Sequence, residues 1–185
     1  MKTADAMKAI QGQVKKGKDV FHIEDLRILL PEKNERNFRA TTGRLMKLGF
    51  LQRVSPKVFF CPMAETASDG YLLERIACVL RRGEFCYLSL ESVLSAHSII
   101  SQQLLDTITV MTTGKSGRYI VDGVGVVDFT QTHKNLANFI HNIDFSCGFL
   151  PRANIKQAYA DLKRVKRNLH LVIQEDLEEL MHEQG

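Results

Sequence analysis

The spacing of apolar positions divides the first sixty residues into three helices and a hairpin. Ala6, Ile10, Gln13 and Val14 recur at helical spacing and predict a helix over 4–16, ended by Gly17. Asp19 to His22 reads as a short extended lead-in. Ile23, Leu26, Leu29 and Leu30 mark the inward face of a second short helix, which Pro31 stops. A third helix is predicted from about 35 to 48, with Gly49 as its C-cap. On a wheel of about 100° per residue, its Phe38, Thr41, Leu45 and Leu48 share one side, the core face. Two short β runs, 50–54 and 58–61, flank the turn Ser55-Pro56-Lys57 and read as a hairpin.

Beyond this block the pattern changes. Residues 62–68 read as a linker, and Asp69 as the N-cap of a helix over 70–82. Glu84 to Leu88 is extended. Ser89 is placed to cap a helix over 90–97, with Ser89-Leu90-Glu91-Ser92 resembling an offset capping box. Three β segments follow, 106–113, 118–121 and 124–130. Turn signals at 114–117 and 122–123 separate them, the first read as a hairpin turn. A helix over 153–168 carries the apolar stripe Ile155, Ala158, Tyr159, Leu162, Val165 and Leu169. Its outer face is basic, with Arg152, Lys156, Lys163, Arg164, Lys166 and Arg167. An acidic helix over 175–183 closes the pattern. The expected fold class is α+β: an N-terminal winged helix-turn-helix over 1–62, then a small mixed α+β domain over 69–185.

Charge sharpens this division. The whole chain of 185 residues has a net charge of only +4. Residues 1–62 hold 13 Lys+Arg against 6 Asp+Glu, a net of +7, and the remainder is −3. Arg36, Arg39, Ala40, Gly43, Arg44 and Lys47 all fall opposite the core face of the third helix, and no acid lies between 36 and 50. Basic side chains neutralise phosphates or read guanine edges, and small ones let a helix sit deep in a groove. Arg36, Arg39, Thr42, Gly43, Arg44 and Lys47 are therefore the expected contacts to the major groove of double-stranded DNA. Arg53, Ser55 and Lys57 on the hairpin are expected at the flanking backbone or minor groove.

Other chemistry is poorly represented. Ser89, Ser92 and His97 invite a hydrolase reading, and Glu91 and Asp106 an acid–base one. No spacing supplies an orienting acid, so no catalysis is expected. Gly114-Lys115-Ser116-Gly117 joins two strands and does not open a helix, unlike a phosphate loop. Cys61, Cys78, Cys86 and Cys147 lie among apolar neighbours without a CxxC spacing and read as free thiols of a reducing cytoplasm. His133 and His141 have no cysteine nearby, so neither a metal nor another cofactor is expected. No apolar run reaches a membrane span, and the N-terminus does not resemble a signal peptide.

One block carries a family resemblance. Residues 87–100, YLSLESVLSAHSII, followed by Ile108-Thr109-Val110-Met111-Thr112-Thr113-Gly114-Lys115-Ser116, resemble the AbiEi family. These are antitoxins of type IV toxin–antitoxin and abortive-infection systems, in which a winged helix precedes such a block. The resemblance spans about residues 20–130. It implies a protein that binds inverted repeats in its own promoter, represses its operon and counteracts a nucleotidyltransferase-like toxin. A stand-alone winged-helix repressor, or a module that neutralises the toxin by direct binding, are the alternatives. A preformed homodimer and two monomers on an inverted repeat are equally compatible with the sequence.

Overall fold

A computed structural model describes residues 1–101, 106–146 and 148–183, with side chains up to residue 180. Cys147 lies outside the described residues. The chain divides into two compact units, Met1–Leu80 and Arg81–Gly185. Both mix helix and sheet, so the expected α+β class holds. No helix among the described residues is long and apolar enough to cross a membrane.

The first unit runs α1 (Thr3–Val14), β1 (Val20–His22), α2 (Ile23–Leu29), α3 (Glu35–Lys47), β2 (Gln52–Ser55), β3 (Val58–Phe60) and α4 (Leu72–Leu80). The three strands form an antiparallel sheet in the order β1-β3-β2. Local chemistry sets the helix ends. The His22 ring nitrogen accepts from the Glu24 N–H while the Asp25 carboxylate accepts from the His22 N–H, a reciprocal cap that starts α2. Asn34 Oδ1 accepts from the Asn37 N–H and starts α3. Gly49, at φ +73°, turns the chain out of α3 in the left-handed region that glycine enters without strain. Ala6, Ile10, Phe21, Leu26, Leu30, Phe38, Leu45, Leu51 and Phe59 make the core.

Two expectations are corrected here. The helical period places Leu48 on the core face, but α3 ends at Lys47 and Leu48 is 53% exposed in the turn. Residues 62–68 are no free linker, and the first unit does not end at residue 62. A short 3-10 turn, Glu65–Ser68, and α4 are fastened to the first unit. Asp19, 1% exposed, is the anchor: its carboxylate accepts from Arg75 Nε (2.9 Å), Arg75 Nη2 (2.8 Å) and the Thr66 hydroxyl (2.8 Å). A buried carboxylate needs such partners, and α4 and the turn supply them. Asp69 accepts from the Tyr71 N–H and pairs with Arg75 Nη1 at 2.7 Å.

The second unit contains β4 (Cys86–Leu88), α5 (Leu90–Ala96), β5 (Thr107–Thr112), β6 (Gly117–Val121), β7 (Gly125–Gln131), β8 (Ile143–Asp144), β9 (Arg152–Ala153), α6 (Ile155–Val165) and α7 (Gln174–Glu183). Its sheet has the order β6-β7-β5-β4-β9-β8. β6 and β7 are an antiparallel hairpin about Asp122-Gly123, and β7 returns parallel to β5, between β5 and β6. Residues 114–117 are consequently not a hairpin turn: the strands they join are not neighbours. Backbone at Gly114 passes close to the Glu84 and Arg81 side chains, where a Cβ would lie 3.0 Å from Glu84 Cγ.

Candidate nucleic-acid interface

α3 presents two chemically distinct sides. Phe38, Thr41, Thr42 and Leu45 are buried. Arg36, Arg39, Ala40, Arg44 and Lys47 are exposed, and a Cβ built at Gly43 would meet no atom within 4 Å. Five of the six expected helix positions, Arg36, Arg39, Gly43, Arg44 and Lys47, thus lie on one open surface. Thr42 does not. It is 5% exposed, and its hydroxyl donates back to the Phe38 and Arg39 carbonyls at 3.0 and 3.2 Å, so it is spent on the helix itself.

The hairpin stands beside this surface. Arg53 and Lys57 are exposed on β2 and the Pro56-Lys57 turn, while Ser55 is half-buried. The Ser55 hydroxyl accepts from the Lys57 N–H, and its carbonyl accepts from Arg53 Nε at 3.2 Å. Ser55 therefore shapes the turn and orients Arg53, whose guanidinium also lies 5.9 Å from the Phe59 ring centre. A groove of about 650 Å³ runs between α2, α3 and the hairpin. Arg27, Arg39, Arg53 and Lys57 line it, together with Glu24 and Glu35. Arg27 is the lining cation that periodicity did not single out, because α2 carries acids of its own at Glu24 and Asp25.

The charges on this surface are not all free. Glu35 accepts from Arg27 Nη1 at 2.7 Å and from Arg39 Nε at 3.0 Å. These two arginines hold the Glu35 carboxyl below the usual carboxylate range. Arg44 donates to the Thr41 hydroxyl at 2.9 Å, and that hydroxyl donates to Glu32 at 2.7 Å, which holds the Glu32 carboxyl low. Arg36 and Lys47 remain as exposed cations.

The second unit gathers a different set of polar groups, at the residues of the quoted YLSLES block. Asp161, fully buried, accepts from the Tyr87 and Ser89 hydroxyls, each at 2.9 Å, and from Gln157 Nε2 at 3.0 Å. Burial first, then the Asp161 charge, pushes the Tyr87 phenol far above its ordinary value. Ser89 thus does not cap α5. Ser92 and Thr109 exchange bonds: the Thr109 N–H donates to Ser92 Oγ at 2.7 Å and the Ser92 N–H to Thr109 Oγ1 at 2.9 Å. These bonds pin a sharp strand-to-helix turn in which buried Leu90 adopts φ +58°, a conformation a leucine holds only when its surroundings impose it.

Glu91 faces the opposite charge. Arg167 forks onto it, Nε to Oε1 at 2.7 Å and Nη2 to Oε2 at 2.8 Å, while Arg167 Nη1 reaches Asp128 at 3.1 Å. Asn168 adds a bond to Glu91 at 2.8 Å. Arg167 therefore leaves the expected outer basic face, because α6 ends at Val165 and the left-handed Lys166 turns the chain back. Burial opposes the Glu91 charge, but the Arg167 bonds outweigh it and lower its pKa. Cys61 and Cys86 are buried thiols, and Cys78 is a half-buried one. Among the described residues, no three His, Cys, Asp or Glu side chains are gathered to hold a metal ion.

The chain is similar in structure to the RV2827C protein from Mycobacterium tuberculosis, with a TM-score of 0.60 and 16% identity, over 97% of this chain and 71% of that one. At that identity the likeness concerns the fold. No family model matches the chain, and no curated protein matches it.

Proposed function

We propose that the first unit is a winged helix-turn-helix that binds double-stranded DNA, with α3 in the major groove and the β2–β3 hairpin as the wing. The observation that carries this reading is the chemistry of the outer side of α3. Arg36, Arg39, Arg44 and Lys47 surround Ala40 and Gly43 with no acid among them. The only α3 acid, Glu35, stands at its first turn, where a carboxylate favours the helix dipole. Arg53 and Lys57 extend the positive surface along the hairpin. A solvated helix face needs no such sign purity and no small residues at its centre.

The protein's role then follows from the resemblance of its 87–116 block to AbiEi antitoxins. We read it as a cytoplasmic autorepressor without catalysis of its own, one that occupies inverted repeats in its promoter and counteracts a nucleotidyltransferase-like toxin. The bonds of Tyr87, Ser89, Glu91 and Ser92 support a structural role for that block: they are consumed in packing α5 and α6 on the sheet. A band-shift assay on the DNA upstream of the gene tests the DNA reading. Co-expression with the adjacent gene's product tests the antitoxin reading, whose expected outcome is rescue of growth.

A further inference from the structure

We infer that Arg27 and Arg39 form a seat for a backbone phosphate, and that the Glu35 carboxylate fills this seat in the free protein. The inference rests on the DNA-binding reading and names a subsite within it, with a residue, Arg27, that the outer side of α3 does not include.

Three observations converge. The two guanidiniums reach Glu35 from different helices, Arg27 from α2 and Arg39 one turn along α3, at 2.7 and 3.0 Å. Arg27 is held in that position by stacking on the Phe38 ring, 4.7 Å from its centre, so it does not depend on Glu35 alone. The carboxylate sits on the wall of the groove that Arg53 and Lys57 line from the hairpin side. Each arginine gives the carboxylate one charge-assisted N–H···O bond, to a different oxygen, and guanidiniums donate such bonds to phosphate oxygens as well. Glu35 is 44% exposed on its side chain, and its partners are exposed as well, so exchange for a phosphate oxygen requires no opening of the core.

The electrostatic consequence is a damped affinity. Two of the groove's four cations are neutralised in part by a built-in anion. A phosphate that takes this seat must displace Glu35, whose charge then faces the DNA or takes up a cation from solution. Removing that charge adds about one released cation to the binding reaction and steepens the salt dependence accordingly.

The test measures fluorescence anisotropy of a labelled random-sequence duplex with the full chain, its Glu35→Gln variant and the Glu35→Gln plus Arg27→Ala double variant. Salt is varied from about 50 to about 200 mM. Circular dichroism establishes that each variant is folded. The expected result is that Glu35→Gln binds about three- to tenfold tighter and steepens the slope of log K against log salt by about 0.9, and that adding Arg27→Ala cancels the gain. Measurable binding by the wild-type chain with no gain in the folded Glu35→Gln variant overturns the seat and leaves the DNA reading standing. A gain that survives Arg27→Ala overturns Arg27's part in it. No binding by any form at the lowest salt overturns the DNA reading and the seat together.

Discussion

Arg75 and Asp19 meet fork to fork in the interior of the first unit, Nε to Oδ1 at 2.9 Å and Nη2 to Oδ2 at 2.8 Å, across 56 positions of sequence. Burial opposes the Arg75 charge, yet the bonds to Asp19 and Asp69 prevail and raise its pKa. Removing one partner of such a pair strands the other charge in a low-dielectric interior. Arg75→Ala is therefore expected to destabilise the first unit by about 3–5 kcal/mol, measured by urea unfolding. A fragment ending at residue 62 lacks both Arg75 and Thr66 and is expected to unfold, whereas one ending at residue 80 keeps every Asp19 partner named here. Equal stability of the two fragments would contradict this account of the boundary.

In the second unit, Asp161 is the acceptor for three buried donors. Asp161→Ala orphans the Tyr87 and Ser89 hydroxyls together and should cost about 2–5 kcal/mol. Tyr87→Phe removes a donor and leaves its acceptor with other partners, so about 1 kcal/mol is expected. Thermal unfolding of the two variants checks the order: a loss in Asp161→Ala no larger than that in Tyr87→Phe would contradict the part given to the Asp161 bonds.

Acid should weaken the second unit. The Glu91 carboxyl is lower in the folded protein than its ordinary value of 4.5. A depressed folded pKa contributes stability at pH values above the unfolded one, and that contribution is lost as pH falls from about 4.5 through the folded value. Melting temperature should fall below that point in the wild-type chain, and fall less steeply in Glu91→Gln, which starts lower. Parallel profiles for the two proteins would exclude Glu91 as a source of the acid sensitivity.

Gly43 separates stability from function. It lies in the interior of α3 with open space before it, so Gly43→Ala should stabilise the chain by about 0.5–1 kcal/mol. Gly43→Leu should fold equally well but bind DNA more weakly, since the added side chain occupies the space where the groove floor would approach. Thr42→Val, altered beneath the surface, should leave DNA affinity unchanged.

Much of the first unit was legible because its signals are local. Gly49 ended α3 as its position suggested, and the 3.6-residue period of Phe38 and Leu45 found the buried side. Thr42 and the boundary at residue 62 are misplaced for different reasons. Thr42 lies at the margin of the wheel, where burial is decided by a hydroxyl turning back to Phe38 and Arg39, not by periodicity. The boundary at residue 62 failed because Asp19 and Arg75 pair across long sequence separation, and a loop rich in small residues looks the same whether or not Asp19 holds it. In the second unit the segments of β4 to β7 are legible, but the two-residue strands β8 and β9 are too short to show a period, and the placement of β7 between β5 and β6 is a non-local choice. Asp161 went unnoticed among the apolar positions of α6: a lone acid near the stripe of an amphipathic helix has no local mark that it accepts from Tyr87, Ser89 and Gln157.

The central claim is that the exposed side of α3 reads DNA. The most direct measurement is a band shift with DNA upstream of the gene, comparing the wild-type chain with Arg39→Ala plus Arg44→Ala and with Lys57→Ala. The double variant should lose sequence-selective binding while unfolding at a similar temperature. Lys57→Ala should weaken binding to all sequences alike and lower the salt slope by about one. Undiminished, selective binding by the folded double variant would contradict the account.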